Sequence, residues 1–157
     1  MKKKLFFLLD VDGVMTTGQF IYSQKGKIFK IFGPHDSDGL KLLKNIINIE
    51  FLTADKRGFA ISKKRISDDL GFKINLVDEK NRMEFIKKKY GLKNTIYMGD
   101  GIFDSYIFKK VKYAIAPKNA RIEAKRNADF VTQSNSGEGA VLDASLHLMK
   151  KFLKKNN

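Results

Sequence analysis

The chain is 157 residues long and 43% hydrophobic, with 31 Lys and Arg against 17 Asp and Glu for a formal net charge of +14. That length suits one domain spanning 1–157 with a sizeable core. The absence of Cys excludes a disulfide framework and a thiolate metal site, and no run approaches the roughly 20 apolar residues of a membrane span. The charge is compatible with attraction to nucleic acid, an anionic membrane or a phosphorylated substrate. Much of it, however, stands in short runs such as Lys87-Lys88-Lys89, Lys150-Lys151 and Lys154-Lys155, which read as solvated helix surface. No recognition-helix pattern or aromatic-basic interleaving accompanies it. The expectation is a cytoplasmic protein with no nucleic-acid partner and no membrane partner.

In chain order, Lys2-Lys3-Lys4 followed by Leu5-Phe6-Phe7-Leu8-Leu9 imitates the start of a signal peptide, but Asp10 and Asp12 interrupt the apolar run, which reads instead as a buried strand over 3–9. Beyond Gly13 and Gly18, two β-prone arms around Gln24-Lys25-Gly26 predict a hairpin over about 19–32. From Asp38 the residues Leu40, Leu42, Leu43, Ile46 and Ile47 recur at helical spacing, and a strand at 49–52 follows. The pattern then predicts a helix over 57–70, a strand over 72–77, a helix over 80–90 stopping at Gly91, and a strand over 95–98. A helix over 103–110, a strand over 112–116, a short helix near 119–126, a strand over 129–132 and a helix from about 139 complete the cycle. This alternation implies an α/β, Rossmann-like three-layer sandwich: a central parallel sheet with helices on both faces, and the β-hairpin projecting from it.

In such a sheet ligands bind at the carboxyl ends of the strands, where the polar residues are Asp10 and Asp12, Thr53, Lys80, and Asp100 with Asp104. Hydrolysis of a phosphate monoester needs a nucleophile, a proton donor and positive charge on the phosphoryl oxygens. Asp10 can be the nucleophile and Asp12 the general acid and base. Asp10, the backbone carbonyl of Asp12, and Asp100 form a plausible protein share of an octahedral Mg2+ shell, with Asp104 as ligand or supporting partner. Thr53 offers a hydroxyl to a phosphoryl oxygen and Lys80 a fixed charge that restrains Asp10. Each residue alone is as well explained by a turn or a helix cap; their occurrence in order at successive strand ends is what points to a site.

The segments Asp10-Val11-Asp12-Gly13-Val14, Thr53, Lys80 and Gly99-Asp100-Gly101-Ile102-Phe103-Asp104 resemble the four motifs of the haloacid dehalogenase (HAD) superfamily. Over roughly 5–150 the chain is similar to its capless branch, and within it to phosphatases of sugar-acid phosphates such as 3-deoxy-D-manno-octulosonate 8-phosphate and nonulosonate 9-phosphates. The resemblance implies a HAD-like fold without a cap domain, an aspartyl-phosphate intermediate, Mg2+ held by Asp10, Asp12, Asp100 and Asp104, and a phosphorylated sugar-acid substrate met by Thr53, Ala54, Lys80, His35 and Asp36. It also implies a homotetramer in which hairpins assemble centrally and neighbouring subunits close the site. Where the resembled pattern carries arginine, this chain has His35, Asp55 and Glu138, which implies either a different, less acidic sugar phosphate or the use of Lys41, Arg57 or Arg65 instead.

Two other readings compete. A response-regulator receiver also combines acidic residues, a Thr and a Lys with magnesium, but its phosphoacceptor lies on a middle strand, whereas here strand three ends in Val77-Asp78-Glu79. A catalytically weak relative serving as an oligomerisation module is the other, although every motif residue is present. Either way, Phe20, Tyr22, Ile28, Phe29, Ile31 and Phe32 are more apolar surface than a two-stranded ribbon buries alone, which predicts a homo-oligomer.

Overall fold

The structure, a computed structural model, describes residues 4–153; Lys3, the first residue of the expected opening strand, and the Lys154-Lys155 pair lie outside the described residues. The apolar run ends in β1 (Phe6–Asp10), in which Phe7 and Leu9 bury on one face and Leu8 on the other, as a strand covered on both sides requires. It is flanked in parallel by β4 (Asn48–Thr53) and β6 (Thr95–Met98). With β5 (Lys73–Leu76), β7 (Tyr113–Ala116) and β8 (Phe130–Val131), the sheet has the order β5-β4-β1-β6-β7-β8. Strand order reverses at β1, so the crevice for ligands opens at the carboxyl ends of β4, β1 and β6.

One face of the sheet packs against α1 (His35–Leu43), α6 (Ala140–Leu148) and Ile66. Ile66 stands in a π-helical turn, Lys64–Asp69, that continues α2 (Phe59–Lys63). The other face packs against α3 (Glu79–Lys89), α4 (Ile102–Phe108) and α5 (Ile122–Asn127) through Ile86, Ile107, Phe108 and Ala124. Among the described residues no helix is long and apolar enough to cross a membrane.

The hairpin is β2 (Thr16–Ser23) paired with β3 (Gly26–Phe32), so its first arm begins three residues before the expected start at 19. Its base is pinned by the loop ahead of α6: Gly137 N–H donates to the Val14 carbonyl at 3.3 Å. A Cβ at Gly137 (φ +68°) would press on the Thr16–Thr17 backbone. Close backbone approach, not mere turn chemistry, is why glycine stands there.

Helix α1 starts at His35, not at Asp38. Pro34 supplies the fixed φ of a helix entry, and Asp36 and Asp38 in the first turn suit the positive end of the helix dipole. Apolar spacing does not reveal this turn because it packs through small residues. A Cβ at Gly39 would lie 2.7 Å from Leu142 Cα and 2.8 Å from Ser145 Oγ, so α1 and α6 touch backbone to backbone. Gly39→Val is expected to force the two helices apart and destabilise the protein by about 2 kcal/mol despite valine's better helix propensity. A thermal unfolding midpoint equal to wild type would show that the two helices do not pack this closely.

Candidate active site

Asp10 is the last residue of β1, Thr53 the last of β4, and Asp100 and Asp104 follow β6, with Asp104 in the first turn of α4. Parallel pairing of the three strands therefore brings all four side chains to one rim. They line a cleft of about 450 Å3 together with Asp12, Ala54, Asp55, Lys27, Arg82 and Phe103. Asp10, Asp100 and Asp104 each offer a carboxylate oxygen within 4.8 Å of the other two.

Two glycines make this crowding possible. Gly13 has φ +80°, and a Cβ there would collide with the Asp100 carboxylate; a Cβ at Gly99 would collide with that of Asp104. Asp104 is buried. Its Oδ2 accepts from the Asp100 and Gly101 N–H groups at 3.0 and 2.9 Å, and its Oδ1 from the Tyr97 hydroxyl at 2.7 Å. It thereby caps α4 and anchors the loop that carries Asp100. Asp12 stands apart from the carboxylate cluster: its Oδ2 lies 2.9 Å from Lys30 Nζ, which leaves its backbone carbonyl as the group it could give a cation.

The electrostatics follow from like charges in a poorly solvated place. Burial raises the Asp10 carboxyl well above the usual range, Arg82 pulls it back in part, and Asp104 and Asp100 push it further up. Burial and then Asp104 raise Asp100 to about 7. One guanidinium does not balance three carboxylates. Oxygen donors, close spacing and surplus negative charge are what a hard cation such as magnesium takes, so the residues fit that ion.

Arg82 was not anticipated and Lys80 was; the structure places Arg82 in the cleft and Lys80 outside it. Asp78 accepts from Asn81 N–H at 3.0 Å and caps α3, which begins at Glu79. Arg82 and Ile86, one turn apart, are the residues of this helix that bury against the sheet. Lys80, two positions from Arg82 and so on another side of the helix, is exposed and does not line the cleft. Arg82 Nη1 lies 3.4 Å from Asp10 Oδ1, 3.5 Å from Asp104 Oδ1 and 3.0 Å from the Tyr97 hydroxyl. Burial works against its charge, but Tyr97, Asp10 and Asp104 outweigh it and raise its pKa further. The signal was an arginine sharing the i, i+4 stripe with Ile86.

His35 and Asp36 also fall outside the cleft. His35 is exposed at the start of α1. Asp36 is fully buried and accepts from Val141 N–H at 2.8 Å and Gly139 N–H at 3.4 Å, so it caps α6. Of the three positions where arginine was expected, only Asp55 lines the cleft. Neither Lys41, Arg57 nor Arg65 is there; the cations on Asp55 are Lys27 at 2.6 Å and Lys30 at 2.8 Å. Burial would raise Asp55, but the hydrogen bonds from these two lysines hold it down at about 2.

Comparison with known proteins gives a consistent picture. A family model described as haloacid dehalogenase-like hydrolase matches residues 19–144. The 3-deoxy-D-manno-octulosonate 8-phosphate phosphatase of Haemophilus influenzae is 32% identical over 154 residues, covering 92% of this chain and 84% of that one. Among solved structures, the cobalt-bound form of the Haemophilus influenzae phosphatase superposes with a TM-score of 0.80 at 27% identity, covering 94% of this chain and 88% of that one. The Moraxella catarrhalis 3-deoxy-D-manno-octulosonate 8-phosphate phosphatase, solved with magnesium, phosphate and KDO, gives 0.81 at 26% identity, with 95% and 87% covered.

Metal and protons compete for the clustered carboxylates, because magnesium binds the carboxylate form. Asp100 takes up its proton as pH falls through about 7, so binding weakens below that value. Magnesium affinity by calorimetry is expected to be roughly tenfold higher at about pH 8 than at about pH 6. Equal affinities would remove Asp100 from the ligand set.

Proposed function

The chain belongs to the haloacid dehalogenase-like hydrolases, and on that premise we propose that it is a magnesium-dependent phosphatase that releases phosphate from a sugar-acid phosphate, 3-deoxy-D-manno-octulosonate 8-phosphate or a close chemical relative. The observation that carries the reading is the convergence of Asp10, Asp100 and Asp104 within 4.8 Å, with Arg82 beside Asp10.

In this reading an Asp10 carboxylate oxygen attacks phosphorus, and the bond from phosphorus to the ester oxygen breaks. Asp12 gives its proton to the departing oxygen. Asp12, now a carboxylate, takes a proton from the water that attacks the aspartyl-phosphate, and the Asp10–phosphorus bond breaks in turn. The Thr53 hydroxyl already accepts from Asp55 N–H at 3.1 Å and keeps its own proton to donate to a phosphoryl oxygen. Arg82 supplies the fixed positive charge assigned to Lys80 from the sequence. Its Nε is buried with no hydrogen-bond partner among the described residues, a donor that an oxyanion would satisfy. Magnesium, held by Asp10, Asp100, the Asp12 carbonyl and, directly or through its hydrogen bonds, Asp104, would offset the charge that builds on the phosphoryl oxygens.

A homo-oligomer, and specifically a tetramer, belongs to the same proposal. Phe29 and Ile31 are 60% and 46% exposed on one arm of the hairpin, and Phe20, Ile21 and Tyr22 are about half exposed on the other. A ribbon this apolar on its surface is best accounted for by a second copy of the chain covering it.

The test of the activity is phosphate release from a panel of sugar phosphates with and without magnesium. Asp10→Asn should abolish turnover, and Arg82→Met should lower kcat on the order of 100-fold while Lys80→Ala stays within about twofold. Equal losses in the last two would return the charge to Lys80. For assembly, sedimentation is expected to show wild type larger than a monomer and the doubly substituted Phe29→Asp, Ile31→Asp chain as a monomer. A wild-type monomer with full activity would remove the oligomer from the reading.

A further inference from the structure

The hairpin is built inside out. In β3, Phe29 and Ile31 are exposed, yet the side chain of Lys30 between them is fully buried. Strand alternation allows the reverse at no conformational cost, and the desolvation cost of burying an ammonium is offset only where its donors are all met by well-placed acceptors. Every donor is met. Lys30 Nζ lies 2.7 Å from Ser62 Oγ, 2.8 Å from Asp55 Oδ2 and 2.9 Å from Asp12 Oδ2, three acceptors for three donors. The chain also clears a path for it: a Cβ at Gly58 would lie 2.6 Å from Lys30 Cε and 2.8 Å from Lys27 Cδ.

We infer that Lys30 is a positioning residue that holds Asp12 in the orientation from which it delivers and recovers its proton, an inference that rests on the phosphatase reading above. The Asp12 side chain is 29% exposed and, without an anchor, free to rotate between cleft and solvent. A lysine ammonium has donors only, so Asp12 Oδ2 faces a donor in either protonation state, and the proton that Asp12 exchanges is carried on Oδ1. Ser62, itself fully buried, fixes the ammonium from α2, and Asp55 fixes it from the loop after β4. Lys30 touches neither the carboxylate cluster nor, in this reading, the phosphoryl group; it acts through Asp12.

Leaving-group dependence separates this role from a structural one. p-Nitrophenolate departs without a proton, whereas a primary alkoxide needs one from Asp12. In Lys30→Met, single-turnover cleavage of a primary alkyl phosphate is expected to slow on the order of 100-fold, while the pre-steady-state burst of p-nitrophenolate from p-nitrophenyl phosphate changes by no more than about threefold. Ser62→Ala, which removes one hydroxyl and leaves both carboxylates paired, should shift the ratio of the two rates in the same direction by about fivefold. If Lys30→Met does not fold, Ser62→Ala decides the matter. Equal slowing of both esters, or no slowing of either, in a folded variant overturns the positioning role. Wild-type protein that releases phosphate from neither ester would overturn the phosphatase reading itself.

Discussion

Three carboxylates held within 4.8 Å of one another in a largely buried cleft are the constraint from which the rest of the site follows. Nothing in their own chemistry favours that arrangement, since burial and the Asp104 charge raise both Asp10 and Asp100. The surrounding structure over-determines it. Gly13 and Gly99 remove the atoms that would keep Asp100 and Asp104 out. The backbone donors of Asp100 and Gly101 fix Asp104. Tyr97, buried in the sheet, joins Asp104 to Arg82, which reaches on toward Asp10. Such strain is tolerated where an added cation relieves it, which is how a fold comes to bind metal tightly with few protein ligands.

The same logic of compensation operates at the second carboxylate pair. Asp12 and Asp55 approach one another only through Lys30, and Lys27 adds a second ammonium to Asp55. Both lysines belong to the hairpin. Its inward face joins the cleft through these lysines, with Phe20 and Tyr22 as their cross-strand neighbours, while Phe29 and Ile31 stand exposed on the outward face.

Much of the architecture was legible in the sequence because it is carried by strong local signals. The β6 boundaries at Thr95 and Met98 coincide with expectation, since a short apolar run between turn signals has little freedom. The rim residues Asp10, Thr53, Asp100 and Asp104 were found for the same reason: strand ends are easy to place, and parallel strands bring their ends together. What sequence could not resolve was the rotation of a helix and the partner of a polar group distant in the chain. Lys80 and Arg82 differ by two positions and thus by which side of α3 they occupy. Asp36 looked like a ligand to substrate because its true partners, the N–H groups of Gly139 and Val141, belong to the far end of the chain. The start of α1 was hidden because its contact face is glycine and serine, to which hydrophobic periodicity is blind.

Charge shows how this cleft departs from the pattern it resembles. An arginine after Thr53 would project a cation from the β4–α2 loop. Asp55 there projects an anion instead, and Lys27 and Lys30 sit on it, with Asp12 on Lys30 as well, so the two cations and two carboxylates of that corner balance. The cation has been transferred from a loop of the sheet to the hairpin. A loop arginine answers only to its own domain, whereas Lys27 and Lys30 stand on strands whose neighbouring side chains, Ile28, Phe29 and Ile31, are exposed. Through these two lysines the placement of the hairpin and the charge of the cleft are tied together.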